Sequence, residues 1–362
     1  MNPSSAKHWW SGPIATHLRS TRAPWVAAAV IALVAACASS ATAIPASTPS
    51  HPGRVITHYH NGQIVLAGGT NLIAIDPGTG TQHPILSVQA DVGVLDLSDP
   101  VYSPDGTRLA YLRRPEKTIW VLDIATGRTQ QLTSCSAPAC DRFSRSSWSP
   151  DGSRLAFSDS DQSGGAQVYL INADGTQRIQ LTHFPRGQMA TEPSWSPDGT
   201  LIAFTLFRSS GARAGSSDID AIRPDGSQLS VLLANVKEQS NNVGNGNGYL
   251  EPAWAPDGST IAYILIPPSR STNGFDFDYQ LWLMDPDGSH RNKIFEAYNE
   301  CCAPGLGGMA WAPDGTRITI FVGGQGISTT IGTLWVMNAD GTDRVSFGFF
   351  PGYSHPTWQP VP

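Results

Sequence analysis

Charge is scarce in this chain: only 14% of its 362 residues are Asp, Glu, Lys or Arg, and the formal net charge is −6. No cluster of Lys and Arg is present, which argues against nucleic acid, whose phosphates demand grouped cations. Also missing are a Gly-x-Ser-x-Gly elbow, a His-Glu-x-x-His pair and a phosphate-binding glycine loop. The signatures of serine hydrolases, zinc peptidases and nucleotide-binding enzymes are therefore absent. The long apolar run "WVAAAVIALVAAC" ends at Cys37 and falls short of the about 20 residues that a membrane-crossing helix needs. Cysteine is rare too, with Cys37, Cys135, Cys140, Cys301 and Cys302 making up the whole set.

Glycine and proline are plentiful, at 36 and 28 residues, and they fall mainly in recurring turns rather than in disordered tracts. "YSPDGTRLAYL" starts at Tyr102, "WSPDGSRLAFS" at Trp148, "WSPDGTLIAFT" at Trp195, "WAPDGSTIAYI" at Trp254 and "WAPDGTRITIF" at Trp311. In each, Pro presets φ, Asp can bond its own backbone and Gly takes a left-handed conformation, so the string is a hairpin corner. A second strand-and-turn signal follows inside each unit: "TIWVLDIATG", "QVYLINADG", "DIDAIRPDG", "QLWLMDPDG" and "TLWVMNADG". The chain begins its repeats with "NGQIVLAGGTNLIAIDPGTG", which lacks the inner aromatic strand, and ends them with "HPTWQP", which carries that strand around Trp358 and nothing after it.

The repeat length fits a propeller blade of four antiparallel strands, a to d from the centre outward. The fold class expected is all-β, a six-bladed propeller whose ring closes when the strand at Trp358 joins the strands near residues 63 to 87. Closure removes the free edges that would otherwise aggregate. The second strand supports the packing: Leu109/Tyr111, Leu155/Phe157, Ile202/Phe204 and Ile261/Tyr263 point to one face, and Ala110, Ala156, Ala203 and Ala262 to the other. Large faces can then meet small faces of neighbouring blades. A chain of this length can bury roughly 75% of its unfolded surface in one ring, so no second domain is needed.

The "WSPDGxxIAF" and "LWxMNADG" patterns resemble the WD40-like repeats of TolB-type β-propellers, over nearly all of residues 56 to 360. The resemblance implies a six-bladed ring and a setting among envelope scaffolds, peptidase companion domains or polysaccharide-degrading enzymes. TolB carries a separate α/β domain before its propeller, whereas here only residues 38 to 55 are available, so the specific role in a Tol-Pal complex is in doubt.

Residues 1 to 24 carry Lys7, Arg19 and Arg22 and no acid, and the apolar run follows them, the layout of an export signal. "LVAAC" resembles the lipobox of bacterial lipoprotein signals, which would make Cys37 the acylated first residue of the mature chain; cleavage after Ala43 and a retained anchor are the alternatives. The expected organisation is a signal peptide at 1–36, a Ser/Thr/Pro-rich linker at 37–55 and a propeller at 56–362. Loss of the signal takes 23 Lys+Arg against 29 Asp+Glu to 20 against 29, a formal charge of −9. In an exported protein Cys135 and Cys140 are expected to bond to each other. Cys301 and Cys302 form a strained vicinal bond or stay as thiols, because they lie about half a ring from the first pair. The same distance argues against a zinc site.

The Asp-Gly turns all belong to one face of the disc, and the insertions at 207–216, 234–250, 266–278 and 297–308 to the other. Loops on a rigid scaffold commonly carry recognition, although tolerated insertion explains them equally well. Three residues before each inner aromatic, at the loop-bearing mouth of the channel, stand Asp99, Arg145, Glu192, Glu251, Gly308 and His355. Such a ring can hold a polar ligand, or, through Asp99, Glu192, Glu251 and His355, a divalent cation such as calcium. The alternative is that the acids bond loop amides as part of the repeat. Asp220 replaces the aromatic found at Trp120, Tyr169, Trp282 and Trp335, and is expected in an ion pair or at the surface. His58 and His60 are expected at the surface.

Two functions follow. The favoured one is a non-enzymatic, lipid-anchored monomer outside the cytoplasmic membrane that engages a protein or envelope polymer through its loop face. The other, implied by the resemblance, is a metal-dependent lyase of acidic polysaccharide. That enzyme class uses several central histidines, where this chain offers only His355.

Overall fold

The computed structural model describes residues 59–89, 96–114, 117–134, 145–160, 165–208, 216–234, 248–267, 277–299, 304–325, 330–351 and 355–362. Cys37, Cys135, Cys140, Cys301, Cys302, His58 and the expected signal and linker lie outside them.

The described residues form 24 strands and no helix. In chain order these are β1 (His60–Gly68), β2 (Asn71–Ile75) and β3 (Gln82–Ser87); β4 (Asp96–Tyr102), β5 (Arg108–Arg114), β6 (Thr118–Asp123) and β7 (Thr129–Gln131); and β8 (Ser147–Trp148), β9 (Arg154–Ser160), β10 (Ala166–Asn172) and β11 (Ile179–Gln180). The second half continues with β12 (Gln188–Trp195), β13 (Ile202–Arg208), β14 (Ser216–Ile222) and β15 (Ser230–Leu233), then β16 (Gly248–Trp254), β17 (Ile261–Ile266), β18 (Phe277–Met284) and β19 (Asn292–Asn299). Last come β20 (Pro304–Trp311), β21 (Arg317–Gln325), β22 (Thr330–Asn338), β23 (Val345–Pro351) and β24 (Thr357–Val361). Each group of four is one blade, and β24 pairs antiparallel with β1, Trp358 facing Ile64, to complete the first blade. The ring is six-bladed and closed by its C-terminal strand.

Blades pack large against small. Ala110 of the second blade shares a core with Phe157 and Tyr169 of the third, and Ala156 of the third shares one with Phe204 of the fourth. Two of the inner-strand tryptophans also bond the blade before them, whereas the indole nitrogens of Trp195, Trp254 and Trp358 have no hydrogen-bond partner among the described residues. Trp148 Nε1 donates to Val101 O at 3.1 Å and Trp311 Nε1 to Ala253 O at 3.0 Å. Arg108 and Arg154 stack over Trp148 and Trp195, which adds cation–π attraction to the apolar burial. Closure is stitched by polar contacts as well: Tyr102 N donates to Thr357 Oγ1 at 3.3 Å.

Two expectations need correction. Parts of the supposed insertions are strand, since residues 277–278 belong to β18, 297–299 to β19 and 304–308 to β20. Blades 4 and 5 are each four-stranded, as expected, and a single parallel bridge from Ser217 to Gly248 links them. A Cβ at 248 would overlap Ser217 Oγ, so only glycine permits that approach. Asp220 is 3% exposed and faces Phe204 across the sheet, so surface exposure is the wrong half of that expectation. His60 is exposed, as expected.

Candidate functional site at the channel mouth

The innermost strands set up the site through a shared irregularity. In β4, β12, β16 and β20 the pairing register slips between Ser98 and Val101, Thr191 and Ser194, Leu250 and Ala253, and Leu306 and Met309. Within each slip one residue takes a positive φ: Asp99 at 53°, Glu192 at 55°, Glu251 at 52° and Gly308 at 105°. These are β-bulges, which bend the strand and re-aim a side chain. Pro100, Pro193 and Pro252 follow the three acids, and a bulge is one of the few places a strand accepts proline. Non-glycine residues held left-handed store strain, and strain of this kind clusters at ligand clamps and active sites.

Bulges from different blades meet. His355, two residues before β24, bonds Asp99 Oδ1 through Nδ1, and its Nε2 lies 3.4 Å from Glu251 Oε1. Ser98 Oγ donates to Asp99 Oδ2 at 2.9 Å. Glu192 Oε2 accepts from Thr205 Oγ1 at 2.8 Å and from the Glu251 N–H at 2.9 Å. The carboxylates of Asp99 and Glu251 are each 9% exposed. Gly308 supplies no group; its role is space, because a Cβ there would overlap the His355 ring.

Electrostatics follow from burial and these pairings. Burial opposes charge on Asp99, but the adjacent His355 charge and hydrogen bond, helped by Ser98, hold its carboxyl down at about 2. Burial also opposes charge on His355, yet Glu251 and Asp99 together raise it to about 10. Burial and the neighbouring Glu251 push Glu192 up to about 7, against the hydrogen bonds it accepts. Arg145 is lowered by burial, an effect that the charges of Glu251, Asp99 and Glu192 oppose; a guanidinium stays protonated throughout. The mouth thus holds three carboxyls against one imidazolium and one guanidinium.

A cavity of about 40 Å³ lies beside this cluster, lined among others by Arg145, Ser146, Glu192, Ser194 and Glu251. A single water needs roughly 10–15 Å³ of such space, so the cavity has room for a small ion or polar group. Among the described residues no three His, Cys, Asp or Glu side chains are arranged to hold a metal ion. The physical reason is that the His355 ring sits between Asp99 and Glu251, where a cation would otherwise neutralise them.

All five charged candidates therefore converge at the mouth, with Arg145 felt through its charge. Sequence reasoning missed Thr205 and Ser98, the hydroxyl partners of Glu192 and Asp99, and it missed what Gly308 does. The acid-proline pair two residues ahead of an aromatic was the available signal for a bulge.

The sequence model described as the TolB beta propeller domain matches residues 93–361. The chain belongs to the TolB β-propeller family. A TolB crystal structure from Acinetobacter baumannii superposes with a TM-score of 0.56 at 19% identity, covering 82% of this chain and 66% of that one. A chain from Agrobacterium tumefaciens assigned as TolB gives 0.56 at 17% identity, covering 84% and 99%. At such identities the likeness concerns fold alone. Bacillus subtilis (strain 168) YuxL, described as an uncharacterized peptidase, is 33% identical over 102 residues, which is 26% of this chain and 15% of that protein. This chain spans only a small part of YuxL and slightly less than two thirds of the A. baumannii TolB. Family membership supports, at a coarse level, a binding scaffold of the cell envelope.

Proposed function

We propose that this TolB-family propeller is an exported binding scaffold, lipid-anchored at Cys37, that engages a protein or envelope polymer at its loop-bearing face around the channel mouth. The observation that carries the reading is the convergence of three left-handed acids from different blades at the channel mouth, whereas the other left-handed non-glycine residues, Lys117, Gln177, Gln228, His290 and Asp343, stand singly in the turns of their own blades. Asp99, Glu192 and Glu251 hold left-handed backbone at the mouth, with Asp99 and Glu251 buried and Glu192 half-buried, and a ring could be closed without either feature. Strain retained by a surrounding structure that over-determines it is a mark of a binding place. The monomer suffices for this, since every mouth residue comes from one chain.

The test is fractionation and capture. The protein is expected in envelope membranes and to leave them on Cys37→Ala, because the several acyl chains of a lipoprotein anchor far more firmly than one. A mature terminus at Ile44, with Cys37 removed, would contradict the anchor. Cross-linking in intact cells should give a reproducible envelope adduct that weakens in Glu192→Gln/Glu251→Gln. An undiminished adduct removes the mouth from the reading, and turnover of an acidic oligosaccharide by the purified protein would replace the scaffold with an enzyme.

A further inference from the structure

Glu251 Oε2 is buried without a hydrogen-bond partner, on a side chain that is 9% exposed and that lines the cavity. Leaving a buried carboxylate oxygen unsatisfied is costly, and no hydroxyl or amide among the described residues meets it. The other Glu251 oxygen faces His355, and Asp99 is bonded by His355 and Ser98. With Glu192 ionised, the cluster carries one negative charge more than Arg145 and His355 neutralise.

We propose that this cavity binds one primary ammonium group, with Glu251 as its charge partner. Four features select that chemistry. With Glu192 ionised, and with the opposite charges of Asp96 and Arg114 beside Asp99 offsetting each other, the charge shortfall is a single unit, which a monocation meets and a divalent ion exceeds. The space is that of a small group, about 40 Å³. The free acceptor is one carboxylate oxygen beside residues such as Ser146 and Ser194, and an ammonium needs up to three acceptors placed at hydrogen-bond distance. A calcium ion, in contrast, gathers six to eight oxygens at 2.3–2.6 Å, and the described carboxyls do not converge in that way. A guanidinium is planar and larger, and Arg145 already lines the cavity. The ammonium can come from a free small amine or from a lysine side chain of a bound partner; the chemistry at Glu251 is the same. The inference rests on the reading of the mouth as a binding site and names what that site takes.

The experiment is thermal denaturation of the full chain in methylammonium chloride, with tetramethylammonium, guanidinium and calcium chlorides at equal ionic strength as comparisons. Binding to the folded state alone stabilises it in proportion to ligand saturation. Methylammonium at concentrations well above its Kd is expected to raise Tm by about 2–4 °C over tetramethylammonium, and Glu251→Gln is expected to abolish the difference. Should that variant not fold, the imidazole resonances of His355 in the unaltered protein, across from Glu251, are expected to move on methylammonium titration and not with tetramethylammonium. A short peptide bearing one lysine, against the same peptide with norleucine, separates the sources: a shift with lysine points to a partner's side chain, and a shift with methylammonium alone to a free amine. No selective shift by any primary amine, an equal shift in Glu251→Gln, or a shift with calcium only overturns the proposal. If cross-linked capture through the mouth persists in that case, the binding-site reading stands and only the ammonium is wrong.

Discussion

Acidic residues do two different jobs on the two faces of this ring. On the turn face, Asp105, Asp151, Asp198, Asp225, Asp257, Asp287, Asp314 and Asp340 each accept the N–H two residues on. Each is satisfied inside its own hairpin except Asp314, which also accepts from Asn61 Nδ2 of the first blade at 2.8 Å. At the mouth, Glu192 meets Glu251 from 59 residues away and Asp99 meets His355 from 256 residues away. Apart from Asp314, the turn acids shape single blades, whereas the mouth acids tie blades together. Loss of a turn acid should therefore stay local, and loss of a mouth group should be felt around the ring.

The largest break comes from removing closure itself. Deleting residues 353–362 takes away β24 and His355 and leaves two open sheet edges; circular dichroism and melting are expected to show loss of the cooperative native fold. A truncated protein that melts within a degree or two of the intact one would contradict closure by Trp358.

Next is His355→Ala, which leaves Asp99 and Glu251 buried without their cation. Removing one partner of a buried pair costs about 3–5 kcal/mol, to be read by urea denaturation. Gly308→Ala should follow at about 1–3 kcal/mol, because the new Cβ displaces the His355 ring and strains a backbone at φ 105°. A neutral Gly308→Ala would show that the ring's position is unimportant.

The pH dependence sharpens the contrast. Glu192 is raised to about 7, so the native state holds its proton more tightly than the unfolded chain. Stability from this group is full below the unfolded value of about 4.3 and declines as pH rises towards 7. Glu192→Gln should flatten that decline. Turn acids such as Asp105, Asp151 and Asp198 are lowered, with Asp151 at about 2. Their contribution is present above about 3.9 and disappears as pH falls towards 2. Asp151→Asn should give the smallest effect of all, a Tm change of about 1–2 °C at neutral pH that vanishes as pH falls towards 2.

This division also governs what could be read in the sequence. "SPDG" declares its turn because the residues that satisfy Asp151, Ser149 and Ser153, lie two positions away on either side. Counting from the aromatics aligned Asp99, Glu192, Glu251 and His355 at equivalent positions, so their convergence was legible. Their left-handed bulges, formed within single blades, had only the acid-proline pair as a signal; the burial of Glu251 Oε2 and the space that Gly308 leaves for His355 had none, since each depends on a residue of another blade. Asp220 was misjudged for a like reason: its burial is decided by the blades around it, and the repeat alignment reveals only that an aromatic is missing.

A double-mutant cycle tests most directly whether mouth groups act as one unit and turn groups singly. Urea unfolding of His355→Gln, Glu251→Gln and the double variant is expected to give a coupling of at least about 1 kcal/mol, as for residues in one charged network. The parallel cycle of Asp151→Asn with Asp198→Asn, on separate turns, is expected to be additive within about 0.5 kcal/mol. Additivity at the mouth would contradict a shared network and reduce these residues to independent features of the repeat.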